Sequence, residues 1–98
     1  MIEAKDLKLA IELHISNWDI ISQVDYLEGH EAGNARQVVE TKAKIRKAVR
    51  ESNWEALIIW SHSLEEQTLH YEVYSEMCNE RYAEANAELD KQAGRVSA

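Results

Sequence analysis

Proline is absent from this chain of 98 residues, glycine occurs three times and cysteine once. The scarcity of Pro and Gly argues against a fold rich in tight turns, because those residues supply the backbone angles such turns need. One cysteine excludes an internal disulfide framework and suits a reducing compartment. No run approaches the ~18 consecutive apolar residues of a membrane span. The opening MIEAKDLKLAIELH puts acids where a secretory signal needs an apolar stretch. The expected location is therefore the cytoplasm, with no membrane partner. Basic charge is also short, with 11 Lys and Arg against 18 Asp and Glu and a net charge of −7. That balance weighs against a general nucleic-acid binder, which needs a basic surface for phosphate.

What remains favours helix. Ala, Leu, Glu and Lys are plentiful, and no polar/β-branched alternation marks strands. The expected fold class is all-α: a small bundle of antiparallel helical hairpins with a long C-terminal helix or helix pair. One domain over 1–98 fits this length, with 70–92 projecting as an oligomerisation or partner-binding helix.

ESNWEALIIW at 51–60 is echoed by ISNWDII at 15–21. In each, a serine is followed three residues later by an acid, Ser52 by Glu55 and Ser16 by Asp19, which is the pattern of a capping box. Asn34 and Gln37 supply a third version after EGHEAGN. These signals predict helices at about 3–14, 17–28, 35–50 and from 53 to about 92, with Gly29 and Gly33 bounding a loop. The Ser-Asn-Trp repeats then read as helix corners, with Trp18 and Trp54 in first turns, and not as a ligand motif used twice. In the first helix, Leu7 and Ile11 lie opposite Leu9 and Leu13. A helix apolar on two sides needs two neighbours, so it is either central or shared with another subunit.

The last segment would extend roughly 60 Å at 1.5 Å per residue if unbroken. Its apolar flank, including Leu57, Trp60, Leu64, Tyr71, Tyr74 and Tyr82, is too long for one short chain to bury. Either the segment folds back near 68–72, or its distal half pairs with another chain in a coiled coil; the second is favoured. The expected protein-binding residues are Tyr71, Tyr74 and Tyr82, for interface area, and Glu72, Glu76, Glu80 and Glu84, for orientation and attraction to a basic surface. Those acids, continued by Glu88, recur at i,i+4 with only Arg81 near to relieve them. The expected partner is a second copy, as a homodimer. The alternative is a nucleic-acid-mimicking inhibitor whose acidic helical face occupies the basic groove of a target.

Chemistry finds little footing. His62, Glu66 and His70 form a ladder, but residues eight apart lie about 12 Å apart along the axis, so they do not converge on a metal. His14 and His30 are placed near predicted helix ends, where terminal carbonyls account for them. Cys78, between Glu76 and Glu80 on the apolar flank, reads as a buried thiol. Lys42, Arg46 and Arg50 share a face, but neither turns nor aromatic interleaving supports direct binding of nucleic acid. The expectation is a non-enzyme with no catalytic residues, cofactor or metal.

Overall fold

The computed structural model describes residues 3–94, so the outermost residues of the expected 1–98 domain lie outside the description. Three helices account for it: α1 (Ala4–Ile15), α2 (Ile20–Arg50) and α3 (Trp54–Gln92), with no strand among the described residues. α2 and α3 lie antiparallel, since contacts that rise along α2 fall along α3. Gln23 meets Arg81, Tyr26 meets Tyr74, Thr41 meets Gln67 and Lys44 lies over Trp60. At 1.5 Å per residue the two helices run about 46 and 58 Å, and the molecule measures 65 × 25 × 14 Å.

The pairing follows from spacing. Inward residues on α2 alternate in steps of four and three, from Ile20, Val24 and Leu27 through Val38, Thr41 and Ile45 to Ala48, all buried or half-buried. On α3 the same alternation runs through Leu57, Trp60, Leu64, Gln67, Tyr71, Tyr74 and Cys78. A mean step of 3.5 keeps one stripe of each helix facing its neighbour over the whole length. Thr41, almost fully buried mid-seam, donates its hydroxyl to Gln67 Oε1 at 2.7 Å. A one-residue slip would leave both groups unpaired away from water, so this pair fixes the register.

α1 covers only the half of the hairpin remote from the α2–α3 turn. Its buried stripe, Leu7, Ile11 and Ile15, joins Val24 and Leu27 of α2 and Val73, Met77 and Ala85 of α3 in one cluster. Full burial of such side chains stabilises by roughly 1.5–3 kcal/mol each. The half nearest the turn has no third helix and is one helical layer thick.

Two expectations are corrected. The loop at Gly29–Gly33 does not exist; α2 passes through it unbroken. Glu31 and Asn34 continue the inward series across the segment, so both halves of α2 stay in phase on one uninterrupted α3. That packing outweighs roughly 1 kcal/mol of intrinsic helix penalty per glycine. Asn34, expected as a cap, sits mid-helix and donates its side-chain amide to the His30 carbonyl. The caps also shift. Asp19, not Ser16, caps α2 by accepting from the Ser22 N–H at 2.8 Å, and Asn53, not Ser52, caps α3 by accepting from the Ala56 N–H at 3.2 Å. Ser52 instead has φ 52°, and the Ser52 and Asn53 N–H groups bond back to the carbonyls of Val49 and Ala48. This closes α2 in the manner of a Schellman end, with serine at the left-handed position. The two Ser-Asn-Trp segments are thus corners of different phase: Trp18 precedes its helix and Trp54 begins one.

A Cβ built at Gly29 or Gly33 meets nothing within 4 Å. Gly29→Ala and Gly33→Ala should each raise the unfolding free energy by about 0.5–1 kcal/mol, read as a higher urea midpoint at unchanged slope. A loop requiring positive φ at either glycine would give a loss instead.

Candidate functional site

The expected binding residues all lie on α3, but the structure divides them. Tyr74 is 6 % exposed. Its ring stacks on His30 at 4.8 Å and 13°, and Tyr26 lies behind at 6.2 Å. Burial, and then its hydrogen bond with Tyr26, push its hydroxyl up to about 12. Its area is consumed inside the chain and is not available to a partner. Tyr71 is half-buried and borders a groove with Ala35, Val38, Lys42, Thr68 and Glu72. Tyr82 is exposed, and its hydroxyl donates to the Glu28 carboxylate, which raises the tyrosine above its ordinary value.

The acidic ladder is divided as well. Lys8 of α1 reaches between two of its rungs, 2.8 Å from Glu80 Oε1 and 3.4 Å from Glu76 Oε1. The hydrogen bond and charge of each partner raise Lys8 and lower Glu80. Arg81, largely buried, bonds Glu12 of α1 at 2.5 Å and Gln23 of α2 at 2.8 Å, tying all three helices together. Arg81 therefore answers α1 first and the ladder only at 3.9 Å, through Glu80. Glu72 and Glu84 remain on the exposed surface.

A row of rings crosses the α1 end. His14 lies 5.2 Å from Trp18 and 5.4 Å from Tyr26, and His30 lies 4.4 Å from Tyr26. His30 is mid-helix, so its expected place at a helix end is corrected; it serves as a packing ring between two tyrosines. Cys78 is 1 % exposed, and burial, followed by the charges of Glu28 and Glu31, pushes its thiol up. Among the described residues no three His, Cys, Asp or Glu side chains converge as metal ligands.

With the geometry in view, comparison with known proteins adds no relative. No family model matches the chain, no curated protein matches it, and no solved structure matches it.

Sequence reasoning placed the apolar surplus on α3 and on a second side of α1, and the structure shows it on α2 as well. Leu9 and Leu13 are 59 % and 72 % exposed on the outer side of α1, which is peripheral and not central. Val39 and Val49 of α2, and Trp54, Ile58 and Ile59 of α3, are all exposed near the turn, where no third helix lies. The signal was the alternating series on α2: once 20–50 is one helix, Val39 and Val49 fall outside its seam.

The Lys8–Glu80 pair has a defined pH window. Glu80 lies below its ordinary 4.5, so its contribution is present above that value and is lost as pH falls through the lowered one. Lys8 lies above its ordinary 10.5, so its contribution is present below that value and is lost as pH rises through the raised one. Lys8→Ala should flatten the acid-side loss of stability, followed by thermal melts between pH 3 and 7. An unchanged acid limb would show that this contact does not hold α1.

Proposed function

We propose that this protein is a non-enzymatic, helix-mediated interaction module whose first partner is a second copy of itself. The observation that carries this reading is the uncovered half of the hairpin. There Val39 and Val49 lie exposed on a single helical layer, whereas a stable helical domain buries an apolar stripe against another layer. Self-association through α3 and its α2 neighbour would supply that layer and complete a four-helix arrangement of coiled-coil type. Within this reading Tyr71 and Tyr82 remain interface residues on α3. Glu72 and Glu84 act as rim charges, and Glu76 and Glu80 serve the α1 contact. Trp54 and Ile58, one turn apart on the outer edge, form a compact apolar anchor suited to a further protein.

The charge-mimic alternative draws on Glu72, Glu76, Glu80 and Glu84 as a phosphate-like row. It has less support, because Lys8 meets two of the four carboxylates within the chain. No described helix is long and apolar enough to cross a membrane.

Light scattering coupled to size exclusion tests the proposal. Twice the 11.3 kDa chain mass is expected at micromolar concentration and moderate salt. A single-chain mass throughout would contradict it.

A further inference from the structure

Resting on that self-association, we infer that two copies pair back to back as an antiparallel two-fold dimer, α2 on α2 and α3 on α3, through the hairpin face opposite α1. α1 occupies the side of α2 that carries Gln23 and Tyr26. The groove of Ala35, Val38 and Tyr71 opens on the other side, where Glu28 meets Tyr82. Steps of seven residues, nearly two turns, stay on one stripe. On α2 the stripe facing away from α1 reads Ile21, Glu28, Ala35, Lys42, Val49.

That stripe is self-complementary about its centre. An antiparallel two-fold contact brings each residue a given distance before Ala35 against the partner residue the same distance after it. Glu28 then faces Lys42 of the second copy, acid on base, and Ile21 faces Val49, apolar on apolar. Each pair occurs twice. Ala35 faces itself, and its small side chain lets the helices approach.

Charge selects the direction. Residues 36–72 carry six bases and six acids, whereas 3–35 with 73–94 carry four bases and twelve acids. A parallel pairing would lay the acidic halves on each other, and the antiparallel one sets them at opposite ends. Within one copy Glu28 accepts from the Tyr82 hydroxyl, and Lys42 borders Glu72 in the groove. Both charges therefore stand at the face that the second copy covers.

The test is a charge exchange read by dimer dissociation. Lys42→Glu and Glu28→Lys should each raise the dissociation constant by about tenfold or more, since each opposes like charges twice. The double variant should return close to the wild-type value. Positions 28 and 42 are about 21 Å apart along one helix, so rescue can come only between copies. Single cysteines in a Cys78→Ser background give the geometry: Ala35→Cys should link to itself through a short bismaleimide. Val49→Cys should link not to itself but to Ile21→Cys. A dimeric mass with Val49→Cys linked to itself, or no rescue in the double variant, would overturn this arrangement and leave self-association standing. A monomeric wild type would overturn both.

Discussion

The structure depends on a single constraint, the unbroken 3.5-residue spacing of inward side chains on α2 matched by the same spacing on α3. Two helices of 31 and 39 residues remain in contact along their length only if neither loses phase. The absence of proline permits this, and Thr41 with Gln67 fixes which turns face each other. Other features follow from that alignment. It places Arg81 where it reaches both Gln23 and Glu12, Tyr74 where His30 stacks on it, and Lys8 between two rungs of the acidic ladder. The polar contacts orient α1 on a surface that the seam has already built.

The same constraint leaves the hairpin incomplete. A pair of helices buries one stripe of each and leaves two broad faces. α1, with 12 residues, covers part of one. The back face and the half near the turn keep Val39, Val49, Tyr82 and Leu89 in water. A second copy on the proposed contact would cover the back face without any change in the monomer, and it would leave Trp54, Ile58 and the Leu9–Leu13 pair outside.

Much of the fold was legible in the sequence. The helical class, the long C-terminal helix and the two apolar sides of α1 follow from composition and period, which act locally. The continuity of α2 was not legible from local signals. Two glycines and a polar stretch outweighed the seven-residue series that runs through Glu31 and Asn34, because those two inward positions are polar and look like surface. The caps were off by one residue at Asn53 and by three at Asp19, because serine, asparagine and aspartate are all competent and the backbone turn chooses among them. Tyr74 and Tyr82 are both tyrosines on one flank. Only the position of α2 shows that one is enclosed by His30 and Tyr26 while the other stands at an edge.

Solution X-ray scattering tests the back-to-back account most directly, since it reads mass and length together. A back-to-back dimer has twice the chain mass and a longest dimension near the 65 Å of one copy, because the two hairpins lie alongside each other. Twice the mass at nearly twice that length would mean an end-to-end contact and would contradict it, as would the mass of a single chain.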